Sequence, residues 1–309
     1  MTPSKRIKVL YIAGAGRSGS TVLCNLLGQI DGFFSCGELY NLYRTPPDQR
    51  YCGCGKLLSQ CEVWDAILRR ALGEDYISRT AHVLRLRNAV ARSRHALFWA
   101  APFLRPWTVQ RAREYLVLTG RLYQSIADVT GARVIVDSSK VSSYGQLLAQ
   151  IVGIDLRLVF LVRDARAVAY SWQRKKPKPS PHGQIYIRPA SPLRAALSWI
   201  GHNLAAELLT TSTCVPYLRI QYEQFAMSPR EVIERIIELA GETAPTPSLD
   251  DNVVVMKVHH TVGGNPDRFR TGPMVLKPDD EWQSKMKSFD RALVTLLTWP
   301  LLLRYGYRP

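Results

Sequence analysis

An apolar, β-branched run at residues 7–12 leads directly into Gly14-Ala15-Gly16-Arg17-Ser18-Gly19-Ser20-Thr21, and residues 22–27 then have the character of a helix. Strand, glycine-rich turn and helix in succession form the arrangement in which backbone N–H groups at a helix N-terminus grip a phosphate or sulfate. This order calls for an α/β fold with its ligand in the crevice at the strand carboxyl ends. The spacing nearly makes a nucleoside triphosphate loop: Gly14, four residues, Gly19, and a hydroxyl at Thr21. The lysine that such a loop requires is replaced by Ser20, and the nearest cation is Arg17 inside the turn. The loop therefore reads as an anion cradle that does not handle a nucleoside triphosphate in the usual way.

Other segments carry the same strand-then-polar-turn signature. Residues 156–162 are short, β-rich and apolar but for Arg157, and they end in Arg163-Asp164-Ala165-Arg166, with Ser171 one helical stretch later. A guanidinium binds phosphate bidentately, a hydroxyl adds a directed donor, and Asp164 is placed to cap the following helix. Residues 134–136 run into Asp137-Ser138-Ser139-Lys140, ahead of a helix expected at 141–150 that Asp137 and Ser138 are placed to cap. Residues 33–37 read as a second strand ending in Gly37-Glu38, which puts Glu38 in the same crevice as Arg17. An acid there also suits a helix N-terminus. A strand at 215–220 precedes Tyr222-Glu223 and a helix at 230–240 that Ser228-Pro229 starts.

These segments together resemble the sulfotransferases that use 3′-phosphoadenosine 5′-phosphosulfate (PAPS), of bacterial type. The cradle Gly16, Arg17, Ser18, Gly19, Ser20 and Thr21 resembles their 5′-phosphosulfate loop. Arg163 and Ser171 stand at the spacing of the pair that holds the 3′-phosphate. Tyr222 matches a tyrosine that lies near the adenine. Arg268 and Arg270, in the Gly-rich stretch after His259-His260, are looser candidates for the 3′-phosphate. The resemblance implies sulfuryl transfer to a hydroxyl or amine, with PAPS as donor, PAP as product and no metal. Glu38 is the candidate base, with His182 as the runner-up. Lys140, together with Arg17, is the candidate for stabilising charge on the leaving phosphate or the sulfuryl group. The expected fold is α/β: a P-loop-like central parallel sheet flanked by helices, with a helical insertion at 61–130. The whole of 1–309 is expected to form one domain, with an acceptor-side loop at 174–191 and a cofactor-closing segment at 259–287. The acceptor is left as a small molecule, carbohydrate or lipid, and Trp99, Trp107, Trp172 and Trp199 are candidates for lining its pocket or for plain core.

Composition bounds the alternatives. The chain has 309 residues, 41 Lys and Arg against 25 Asp and Glu, and a net charge of +16. A nucleic-acid binder is the natural rival for so basic a chain, but no helix-turn-helix, zinc-finger or RNP pattern is present. The basic cluster at 174–178, rich in proline, reads as an exposed loop that gates the site, draws an anionic acceptor or meets a membrane surface. A P-loop kinase or NTPase is the rival enzyme, and it needs Asp137 as its Mg²⁺-holding acid. Basic residues ahead of the first strand mimic a leader. They are accounted for by strand and cradle, so the expected location is the cytoplasm, where bacteria make PAPS, with peripheral contact at the inner membrane surface left open. An apolar helix at 292–303 is interrupted by Pro300 and too short to span a membrane.

Six cysteines complete the reading. Cys24 and Cys214 are expected to be small buried apolar residues. Cys52, Cys54 and Cys61 form a cluster that resembles a stretch in related bacterial sulfotransferases. With no second Cys pair and no histidine in its segment, a metal is disfavoured, and the cluster is expected to be structural, with a disulfide left open.

Overall fold

The computed structural model describes residues 6–174, 177–180, 183–186, 188–247 and 252–308. In chain order the strands are β1 (Ile7–Ala13), β2 (Phe33–Gly37), β3 (Val134–Lys140), β4 (Ile154–Val162), β5 (Pro177–Ser180), β6 (Gly183–Tyr186), β7 (Tyr217–Gln221), β8 (Val253–Met256) and β9 (Gly272–Val275). Five of them form one sheet in the order β2-β3-β1-β4-β7, and every pairing in it is parallel. Parallel neighbours need crossovers, which supply helices to both faces. The central strands are accordingly buried on both sides and alternate between two cores. Val9, Tyr11, Leu158 and Phe160 face one, together with Trp64, Tyr123 and Trp199 from the helices Glu62–Leu72, Arg105–Thr130 and Pro192–Thr213. Leu10, Ile12, Val159 and Leu161 face the other, with Leu23 and Ile233 from the helices Ser20–Leu27 and Pro229–Leu239. Each such side chain contributes about 1.5–3 kcal/mol of burial free energy.

The expected α/β architecture is therefore present. The stretch 61–130 is helical as expected, built from Glu62–Leu72, Tyr76–Val90, Ala96–Ala100 and Arg105–Thr130. Within the basic, proline-rich stretch, β5 and β6 pair as an antiparallel hairpin. Pro300 lies inside the last helix, Ser288–Arg304, whose buried stripe is Val294, Thr298 and Leu302. No helix among the described residues is long and apolar enough to cross a membrane. Cys24 is buried as expected, but Cys214 is exposed, because it ends the helix Pro192–Thr213 in a left-handed conformation.

The topology reverses around β1, with β3 on one side and β4 on the other. A crevice opens at the carboxyl ends of strands at such a switch point. The turn after β1 depends on Gly14, at φ +129°, where an added Cβ would lie 2.2 Å from the Leu161 carbonyl oxygen. At Arg163-Asp164, the Asp164 carboxylate accepts the Arg166 N–H at 2.8 Å and caps the helix Ala165–Gln173. Glu223 ties the ends of β4 and β7 together by accepting from the Asp164 N–H at 3.2 Å and the Tyr307 hydroxyl at 2.6 Å.

Candidate active site

Each of the five parallel strands delivers one functional group to a single cleft of about 370 Å³. The cradle follows β1, Glu38 follows β2, Lys140 ends β3, Arg163 follows β4, and Tyr222 follows β7. Gly16, Arg17, Gly19, Ser20 and Thr21 line the cleft together with Ser171, Trp172 and Arg174. Gly264, Asn265, Pro266, Asp267 and Asp279 complete its walls. Ser18 is buried beneath the cradle and does not line the cleft.

The cradle is shaped by its backbone. Gly19 sits at φ +83°, and a Cβ there would come within 2.5 Å of the Tyr222 ring, so glycine lets that ring close against the loop. Arg17 takes φ 70°, a left-handed conformation that side chains other than glycine seldom adopt. Its guanidinium lies 4.6 Å from the centre of the Trp172 ring. Burial lowers the Arg17 pKa, Arg174 and Arg163 add to that, and Asp267 opposes it. A cluster of cations in one cleft is an environment for an anion.

A second group of cations lines the same cleft. Arg163 donates from Nη1 to the Arg17 carbonyl at 2.9 Å, and its guanidinium stacks 4.5 Å from the centre of the Tyr222 ring. Its Nε is buried without a hydrogen-bond partner. Asp279 Oδ2 lies 3.0 Å from Arg163 Nη2 and 2.6 Å from Arg174 Nη2, so one carboxylate occupies the point where two guanidiniums converge. Burial works against the ionised Asp279, but the two arginines hold its pKa below the usual carboxylate value.

Glu38 and Lys140 form a pair on the cleft wall. Lys140 Nζ donates to Glu38 Oε1 at 2.6 Å and to the Ser138 carbonyl at 2.8 Å, and Asn41 Nδ2 donates to Glu38 Oε2 at 2.7 Å. Burial raises the Glu38 pKa, but Lys140, Asn41 and Arg50 outweigh it and hold the carboxyl below its ordinary value.

Several expectations are corrected. Arg268 and Arg270 do not line the cleft. The Arg268 guanidinium donates to the Thr261 and Tyr51 carbonyls and lies over the Phe269 ring, so it clamps two loops. Arg270 is exposed. Asp137 is fully buried away from the cleft, where it accepts from the Tyr123 hydroxyl and from the Ser139 N–H and hydroxyl. It neither lines the cleft, as a metal-holding acid there would, nor caps the helix Ser142–Leu148, whose N-cap is Val141 without a side-chain bond. Trp99 and Trp199 are core, Trp107 is exposed, and only Trp172 reaches the cleft. His182, Lys175 and Lys176 lie outside the described residues. No sequence signal marks Arg174 and Asp279 for these roles, since they meet through packing across 105 residues, whereas Asn41, three residues after Glu38, is a local partner that spacing alone could have suggested.

The environment of Asp137 has a consequence for stability. Burial pushes its pKa from an ordinary 3.8 up to about 6, against the bonds from Ser139 and Tyr123. A folded-state pKa above the unfolded one means that the native state holds the proton more tightly. Its stabilising contribution is therefore complete below the unfolded value and is lost as pH rises toward 6. Relative to Asp137→Asn, the native protein should lose about 2 kcal/mol of stability between pH 4 and pH 7. Urea denaturation of both proteins at the two pH values checks this, and parallel curves would contradict it.

Behind the Gly264–Asp267 wall the structure gathers Cys52, Cys54 and Cys61 around His260. The cysteine cluster thus has a histidine partner, 199 residues downstream of Cys61.

No protein-family model and no curated protein matches the chain. Among solved structures it is similar to the sulfotransferase domain from the Synechococcus PCC 7002 olefin synthase, with a TM-score of 0.54 and 20% identity over 100% of this chain and 98% of that one. It is also similar to the sulfotransferase domain from the curacin biosynthetic pathway, with a TM-score of 0.50 and 15% identity over 99% of each chain. At these identities the likeness is one of architecture: over its whole length, this chain has the α/β fold of those sulfotransferase domains.

Proposed function

We propose that this chain transfers a sulfuryl group from PAPS to a hydroxyl or amine acceptor. One observation carries the reading. A single cleft holds two separate anion positions, an N–H cradle without the nucleotide-loop lysine and a two-arginine point now bridged by Asp279. A nucleotide with phosphates at its 5′ and 3′ ends fits that pair, and ADP or ATP fills only the first. The buried, unpartnered Arg163 Nε marks the second position as built for more than Asp279.

PAPS supplies a sulfuryl group activated by its phosphate leaving group. The cradle of Gly16, Arg17, Gly19, Ser20 and Thr21 would hold the 5′ end, and Arg163 with Ser171 would hold the 3′-phosphate. Tyr222, closed against Gly19, would flank the adenine. Glu38, kept ionised by Lys140 and Asn41, accepts the proton that the acceptor loses. Lys140 and Arg17 place positive charge where the phosphate departs. On this reading charge is neutralised by side chains and N–H groups rather than by a divalent ion. The acceptor is a small molecule, carbohydrate or lipid.

The test is to incubate the chain with PAPS, or with ATP and Mg²⁺, against a panel of phenols, sugars and lipids. Acceptor-dependent PAP release from PAPS without added metal is expected. Mg²⁺-dependent release of phosphate or ADP from ATP, with none from PAPS, would replace this reading by the NTPase one. Asp279→Asn provides a finer check. Removing the carboxylate that competes for two guanidiniums should tighten PAP binding about two- to fivefold, the worth of a partly exposed ion pair. Weaker binding in calorimetry would mean that Asp279 instead holds Arg163 in its working position.

A further inference from the structure

We propose that Cys52, Cys54, Cys61 and His260 bind a structural zinc ion that ties the wall of the cleft to the loop at 51–61. The ligand atoms of these four residues all lie within 4.8 Å of one another. His260 Nδ1 is 3.2 Å from Cys61 Sγ and 3.6 Å from Cys52 Sγ. A tetrahedral zinc ion with ordinary bond lengths sets S···N edges of about 3.5 Å and S···S edges of about 3.8 Å. Three thiolates and one imidazole complete its coordination with protein atoms. That closed set marks a structural site and leaves no open position for catalysis. Soft sulfur ligands select zinc over magnesium or calcium, which take oxygen.

The backbone around these residues is arranged to present them. The Cys52 N–H donates to the Lys56 carbonyl at 2.8 Å, and the Gly55 N–H donates to the Cys52 carbonyl at 2.9 Å. Gly55 takes φ +88°, which closes the turn, and Tyr51 bridges to Leu57 across it. At Gly53 an added Cβ would lie 2.5 Å from the His259 carbonyl oxygen, so the turn presses directly on the histidine segment. The Gly53 N–H donates to the Thr261 carbonyl at 2.9 Å, and Trp64 Nε1 donates to the His260 carbonyl. A disulfide would account for two of the three sulfurs and leave the imidazole and the third thiol unused. A zinc ion accounts for all four groups.

The site also bears on the cleft. Three residues beyond His260, Gly263 packs against Glu38, with room for a Cβ only at 3.1 Å from the Glu38 Cβ. The Asn265 N–H then donates to Thr21 Oγ1 of the cradle at 3.3 Å. A metal at His260 would fix the start of this segment, and so the position of the wall facing Glu38 and Thr21. The proposal does not depend on which reaction the cleft performs.

The experiment uses the full chain, purified without a histidine tag and dialysed against metal-free buffer. Elemental analysis is expected to find one zinc per chain, released by a mercurial that blocks thiols. Replacing zinc by cobalt(II) should give the intense visible bands of a tetrahedral, thiolate-rich site. Cys54→Ser and Cys61→Ser should lose the metal, and His259→Ala should keep it. His260→Cys should also keep it, with a changed cobalt spectrum. If the serine variants do not fold, cobalt titration of the chelator-stripped native chain decides, since a built site regains the bands at one equivalent. Native protein with far less than one zinc per chain and no cobalt bands would overturn the proposal. So would a Cys52–Cys61 disulfide found by mass spectrometry in the metal-free native chain.

Discussion

Glu38→Gln should bind PAP like the native protein and turn over about 10²–10⁴-fold more slowly, the usual loss when a general base is removed. The substitution keeps shape and removes basicity. Its carbonyl can still accept from Lys140, and the Asn41 amide can turn to accept from the new NH₂ group, so the hydrogen bonds now made to both oxygens persist. The pH profile gives an independent readout. Lys140, Asn41 and Arg50 hold the Glu38 pKa below its ordinary 4.5 despite burial. The base is therefore already ionised above that pH, and native turnover should not fall until the pH drops below about 4.5. A native acidic limb centred near neutrality would point to a histidine base. Full turnover in Glu38→Gln, with loss in His182→Ala, would move the role to His182. Loss of PAP binding in Glu38→Gln would make Glu38 a support for Lys140 and the cleft wall.

What the sequence made legible follows from where each group sits along the chain. Arg17, Glu38, Lys140, Arg163 and Tyr222 come at the carboxyl ends of runs that read as strands, and a parallel sheet brings all such ends to one edge. Their convergence needed no knowledge of side-chain direction. Asp137 shows where that reasoning stops. It lies inside β3 opposite Tyr11, and the period of two turns its carboxylate toward the core and Tyr123 rather than the cleft. Arg268 fails for a related reason. A cation in a glycine-rich loop can turn either way, and here the Thr261 and Tyr51 carbonyls capture it. Arg174 meets Asp279 across 105 residues, and Cys61 meets His260 across 199. No local pattern records such encounters. In the second case the histidine absent from the cysteine segment is supplied by a distant one.

Arg163→Ala should weaken PAP binding about 10- to 150-fold, the cost of losing a charged, bidentate contact of about 1.5–3 kcal/mol. ADP, which lacks the 3′-phosphate, should lose far less, and native protein should accordingly bind PAP much more tightly than ADP. The comparison matters because Arg163 does two things. Its Nη1 holds the Arg17 carbonyl, and so the cradle, while Nη2 meets Asp279 and Nε is buried without a partner. If the arginine served only the cradle, the substitution would weaken both nucleotides equally, since both place a phosphate there. A selective loss isolates the second position. Calorimetry with PAP and ADP on native and variant chains gives the four affinities required. Equal native affinities, or an equal loss for both ligands, would remove the 3′-phosphate from the assignment and with it the argument for PAPS. Retention on heparin separates a further possibility, that the charge of +16 binds polyanions without discrimination. Removing one largely buried arginine among 41 basic residues should leave that retention unchanged, while PAP affinity falls. Parallel losses of both would favour a general polyanion surface over a nucleotide site.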